Sequence, residues 1–210
     1  MRPRVITWPI PSATSIAALQ TLGAAGSLTL NGSLLQPGYN TVVFQGYTRT
    51  ITLTSGNNLS GVNFTINGVL NNSSLSEVLA GPNANTVTSV HIYDAITSIT
   101  TDGAAAAVSA GTGTTGRTSW ISGDYDLNPP NYSVQAIRTA TINYTLFLTL
   151  DDPNTVATPS VFSPIAALTG ATTSQFASFT NPINYMNVTI NSSDATGALV
   201  VTFLQEGIAP

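Results

Sequence analysis

The chain has 210 residues, 42% of them hydrophobic and 7% charged, with a net charge of −4, against about 25% charged in an ordinary soluble domain. Five arginines without any lysine cannot neutralise many phosphates, which argues against a nucleic-acid partner; no apolar run approaches the roughly 18 to 20 residues of a membrane helix. Cysteine is absent, which excludes disulfides, thiol catalysis and zinc–thiolate sites, while Thr (32), Ser (21) and Asn (18) make up a third of the chain.

Met1-Arg2-Pro3-Arg4 resembles the basic start of a secretory leader, but Pro9 and Pro11 break the apolar stretch that has to follow, so no signal peptide is expected. Residues 1–26 read as an N-terminal arm, extended or short-helical. Ser12 is placed to cap a helix over 12–22 that Gly23 would end. Beyond it, alternation of period two dominates. Strand candidates are 27–31, 40–44, 48–54, 62–66, 74–80, 87–92, 95–101 and 105–110. In the second half they are 133–137, 140–150, 183–190 and 198–205. In 48–54, Ile51 and Leu53 share one face and Thr50, Thr52 and Thr54 the other. In 140–150, Ile142, Tyr144, Leu146, Leu148 and Leu150 share a face, with Phe147 opposite. A change of phase between Asn187 and Val188 predicts a bulge.

Turn signals such as Asn31-Gly32, Asn67-Gly68, Asp102-Gly103 and Asp151-Asp152-Pro153 separate the strands. This spacing predicts an all-β fold of two antiparallel, sandwich-like domains. The run Gly111-Thr-Gly-Thr-Thr-Gly116 reads as the linker between them, giving domains at 27–115 and 116–210. Arg49-Thr-Ile-Thr-Leu and Arg138-Thr-Ala-Thr-Ile suggest that the two halves are related.

Chemistry is sparse. The single histidine, His91, lies inside a strand pattern and reads as a β-strand residue rather than a general base. No glycine-flanked nucleophile elbow surrounds any serine. Most aspartates abut Gly, Pro or Asn, where they cap turns, so a glycosidase pair is not expected. Asp124, Asp126 and Asn128 alternate like a calcium loop, but the required Gly and terminal Glu are missing. No catalytic residue, cofactor or metal is assigned.

A surface so poor in charge has little repulsion to keep copies apart and favours close packing. Strand edges normally carry Lys or Pro as protection; without lysine, cover by partner subunits or by the other domain is expected. Trp8, with Arg2, Arg4 and Ile10 on the same arm, is the candidate partner-binding group, because aromatic anchors dominate interfaces. Trp120 is expected in the second core. Tyr39, Tyr125 and Tyr132 are the candidates for stacking on sugars, in an alternative reading as a carbohydrate-binding module.

Three segments carry a family resemblance: Thr50 to Ile66 followed by Gly81-Pro82-Asn83-Ala84; Trp120 to Tyr125 with Tyr144 to Pro153; and the close from Val200 to Ile208. Together they resemble a family of tailed-bacteriophage virion structural proteins. The resemblance implies a many-copy, non-enzymatic virion component, made in the host cytoplasm. The expected partners are the major capsid protein or other virion subunits, including further copies of the chain. A head decoration or cement protein on the outer head surface is the favoured member, with a neck, tail-adaptor or head-fibre component as alternative.

Overall fold

The computed structural model describes residues 3–123, 128–156, 159–163, 165–180 and 182–208. Among them are sixteen β-strands and one short 3-10 turn, Ala166–Leu168. The strands pair antiparallel in three sheets, as the alternating Thr- and Val-rich sequence predicts. Arg2 and the Asp124–Asp126 motif, with Tyr125, lie outside the described residues.

The chain forms two compact units, one of residues 11–114 and one of residues 1–10 with 115–210. In the first, β3 (Gly26–Ser27), β9 (Ala95–Thr101), β6 (Asn63–Leu70) and β7 (Ser73–Ala80) form a sheet in that order, with β4 (Val42–Val43) also on β9. The second sheet of this unit runs β2 (Ala17–Leu22), β10 (Ala105–Thr118), β5 (Tyr47–Ser55) and β8 (Thr86–Tyr93). Phe64, Ile66, Ile96 and Ile99 of one sheet and Ile51, Leu53, Val108 and Ala110 of the other are buried core. Thr48, Thr50 and Thr52 are buried as well, so β5 is covered on both faces rather than half-solvated.

Three expectations are corrected here. Residues 12–22 form no helix; Ala17–Leu22 is strand β2, held to β10 through Ala105–Leu22 and Val108–Gln20 pairs. The glycine run is strand rather than a flexible linker, although the boundary between the two compact units falls inside it, between Thr114 and Thr115. Gly111 to Gly116 lies inside β10 and is largely buried. A Cβ on Gly111 would fall 1.9 Å from the carbonyl oxygen of Ser12, and one on Gly113 would fall 2.2 Å from Oγ1 of Thr50. These glycines are present because neighbouring chain passes too close for a side chain. Finally, Arg49 sits within β5 whereas Arg138 is next to last in β12 (Asn128–Thr139), so the paired Arg-Thr segments occupy different places and mark no structural repeat.

In the second unit, β1 (Arg4–Trp8), β16 (Ala198–Ile208), β12 and β14 (Gln175–Phe179) form a four-stranded sheet in that order. Of the expected arm 1–26, residues 4–8 are thus an edge strand, pairing Arg4 with Phe203 through Trp8 with Leu199, while residues 11–26 belong to the other unit. The remaining strands of this unit belong to the seven-stranded sheet that also holds β10: β15 (Tyr185–Ser193) pairs with β13 (Ile142–Thr149), with β11 (Ile121–Ser122) and with the end of β10 at Gly116 and Arg117. Ile142, Tyr144, Leu146 and Leu148 are buried as their alternation predicts, but Leu150 is exposed beyond the strand end. The bulge in β15 falls at Asn191, where the register slips between Asn143 and Tyr144, not at Asn187–Val188. The change of phase has another cause: Asn187 is buried together with its neighbours Met186 and Val188, so both faces of β15 are covered there.

The aspartates hold turns. Asp102 accepts the backbone N–H and the Nδ2 of Asn63, each at 2.8 Å. Asp194 accepts the N–H groups of Thr141 and Thr196 at 3.0 and 2.9 Å. These donors hold both carboxyls below the usual carboxylate range. A lowered acid pKa contributes stability above the unfolded value and loses it as pH falls through the folded one. Thermal melts between about pH 5 and pH 2 should therefore show a decline below about pH 4 that Asp102→Asn makes shallower.

Candidate interaction surface

The four-stranded sheet has one buried and one open face. Trp8, Leu199, Val201, Phe203, Val134 and Ala136 point inward, where Tyr132 stacks on Phe179 with ring centroids 5.0 Å apart. The register places the alternate residues outward in rows. Val5, Thr202, Gln135 and Phe176 form one row across all four strands; Thr7, Val200 and Ile137 form the next; Leu204, Ser133 and Ser178 form a third. Val5 and Phe176 are 60% and 65% exposed and Ile137 48%. Among the described side chains of this face none is ionisable.

Sheet geometry sets its size. Three gaps of about 4.8 Å between strands and about five residues along each give roughly 200 to 300 Å². That is the size of a small functional patch, well short of the about 800 Å² per partner in a free-standing complex.

The open face of the first unit's β3–β9–β6–β7 sheet is more hydrophilic. Val78, Thr65, Thr100 and Ser27 form one row, and Ser76, Asn67 and Ser98 the next. The edge of its other sheet is guarded by an anion. Strand β8 carries a bulge, since Thr50 pairs with Ile92 but Thr52 with Thr88. The Glu77 carboxylate accepts the N–H groups of Val90 and His91 at 2.7 and 3.1 Å and the hydroxyl of Tyr93 at 3.2 Å. Bulge and carboxylate occupy the edge in place of the missing lysines.

Of the arm residues singled out from sequence, Arg4 and Ile10 are exposed, with Ile10 at 56%. Trp8 is fully buried within the chain, on strand β1 beside Leu199, so its ring is not presented to solvent. Trp120 is half-buried rather than core, with the Arg117 guanidinium 5.3 Å over its ring. Among the tyrosines proposed for sugars, Tyr39 is 61% exposed, whereas Tyr132 is buried in its stack on Phe179 and is withdrawn. Sequence reasoning missed Val5, Ile137 and Phe176, which share no sequence neighbourhood.

The most unusual electrostatic feature is internal. Arg49 is fully buried, donates to Oγ1 of Thr112 at 3.3 Å and to the carbonyl of Gly113 at 3.2 Å, and lies 5.5 Å from the Tyr47 ring centroid. Burial lowers its pKa to about 10. Burial raises the phenols of Tyr47 and Tyr93, the latter also through the charge and hydrogen bond of Glu77, and pushes Tyr144 to about 12. A raised phenol contributes stability below its unfolded pKa near 10 and loses it as pH rises towards the folded value. Arg49 works the other way, since its buried charge is neutralised first in the folded chain. The Tyr144 contribution alone therefore falls between about pH 10 and pH 12, and over that range the urea unfolding midpoint of Tyr144→Phe should fall less, or rise more, than that of the parent.

No family model matches the chain, and no curated protein matches it in sequence. Among solved structures, the crystal structure of the major capsid protein P2 from bacteriophage PM2 is similar at 12% sequence identity and a TM-score of 0.23. The match covers 99% of this chain and 98% of that one. A likeness at that score assigns no function.

Proposed function

We propose that the chain is a non-enzymatic, many-copy structural component of a bacteriophage virion, seated on the outer head surface as a decoration or cement protein against the major capsid lattice. The observation that carries this reading is the outward face of the four-stranded sheet, on which none of the described side chains is ionisable and on which Val5, Ile137 and Phe176 are exposed. Exposed apolar groups in register on a rigid sheet favour contact with another flat protein surface. The size of the face adds to the argument. A patch of about 200 to 300 Å² is too small to hold one copy firmly, so a function built on it needs repetition and avidity. The resemblance of three segments to virion structural proteins points the same way.

The test has two arms. In purified particles, the copy number of this chain should track that of the major capsid protein; about six or twelve copies would place it at the neck or tail, where ring symmetry sets the count. In the second arm, Val5→Glu with Phe176→Glu puts carboxylates into the proposed contact. Particle binding or self-association should weaken at least about tenfold, because each charge must be stripped of water. The thermal midpoint should stay close to that of the parent, since both sites are exposed. Unchanged association would remove the face from the reading.

A further inference from the structure

Strand β1 reaches its sheet in an unusual way. Residues 1–10 join the unit built from 115–210, and the chain from Pro11 onward builds the other unit. No hairpin ties β1 to β16; it pairs along β16 at the sheet edge, through five register pairs from Arg4–Phe203 to Trp8–Leu199. The connector Pro9-Ile10-Pro11 is stiff, because each proline fixes its own φ and biases the preceding residue, Trp8 or Ile10, towards extended backbone.

We propose that β1 is exchanged between copies, so that residues 4–8 of one chain pair with residues 199–203 of a second. Every pair broken within a chain is remade between chains, including the burial of Trp8, so the exchange changes the path of the connector and little else. The slot cannot stay empty: Leu199 and Val201 are fully buried beside β1 and its departure uncovers them. The occupant is therefore a second copy of the same strand. In dilute solution a chain's own β1, tethered by a connector of only a few residues, outcompetes the β1 of another copy. Exchange prevails where copies are held together at high density, and in this respect the inference rests on the proposed assembly role. It also accounts for an aromatic anchor that is buried in its own chain yet carried on a detachable edge strand.

The absence of cysteine makes the test clean. Val5 and Thr202 are register partners on the open face. Val5→Cys and Thr202→Cys variants are purified separately, mixed, concentrated to about 1 mM or bound together to particles, and oxidised. Exchange gives a covalent dimer on a non-reducing gel, with mass mapping that joins position 5 of one chain to position 202 of another, and the link persists when Phe176→Glu is added to both variants to break face-to-face contact; a link lost with Phe176→Glu would overturn the exchange. The double variant V5C/T202C, oxidised in dilute solution, should close within one chain and so verifies the geometry. Multimers or particle-bound protein lacking the 5–202 link would overturn the exchange and leave the assembly role standing. A chain that stays monomeric at that concentration, does not bind particles and forms no link would overturn both.

Discussion

Trp8→Ala is expected to lower the unfolding free energy by about 3 to 5 kcal/mol, the usual cost of emptying a large buried aromatic site. Trp8 is fully buried although it stands on a five-residue edge strand near the chain start. Its removal takes away the one fully buried side chain of β1 and leaves the strand held by its backbone pairing with β16. Trp8→Phe should recover more than half of the loss, since a smaller ring still fills part of the site. Urea melts followed by far-ultraviolet circular dichroism measure both. A loss under about 1 kcal/mol for Trp8→Ala would mean that the ring is not part of the core.

Gly111→Ala is the second large effect, and it separates two descriptions of one segment. In a flexible linker, a single methyl group changes stability by a few tenths of a kcal/mol, often favourably. In strand β10 the same methyl falls 1.9 Å from the Ser12 carbonyl oxygen and 2.5 Å from the Ala13 carbonyl carbon. Both are backbone atoms that no rotamer change moves aside. The expected cost is about 3 kcal/mol or more, at or above the upper range for overpacking. Gly38→Ala is not a suitable control, because Gly38 has φ of 84°; Gly61→Ala is, since nothing lies within 4 Å of its added Cβ. Thermal melts of the two variants against the parent decide the matter.

Much of the fold was legible in the sequence. Alternation in residues 62–66 and 142–148 located buried strands because each presents one apolar face to a core, and the Asp-containing turns were readable from local hydrogen-bonding chemistry. What failed shares one cause. The glycines at 111, 113 and 116 look like flexibility, yet the first two are explained by the close passage of Ser12 and Thr50, far away in sequence. Strand β1 has no partner within 190 residues; its identity depends on β16. The candidate surface was invisible for the same reason. Val5, Thr202, Gln135 and Phe176 become one row only when three strand registers are known, and a slip of one residue in any of them would turn that strand's share of the row inward.

The carboxylate of Glu77 has a consequence for the chain as a colloid. Strand β8 holds Val87, Val90 and Ile92 at a sheet margin, with Val90 83% exposed. A short β-prone stretch of this kind can template fibril growth once its amides are vacant. One anion holds two of those amides occupied. Glu77→Ala is therefore expected to free both amides and to develop thioflavin fluorescence at high concentration faster than the parent; equal fluorescence would show that this anion does not protect the margin.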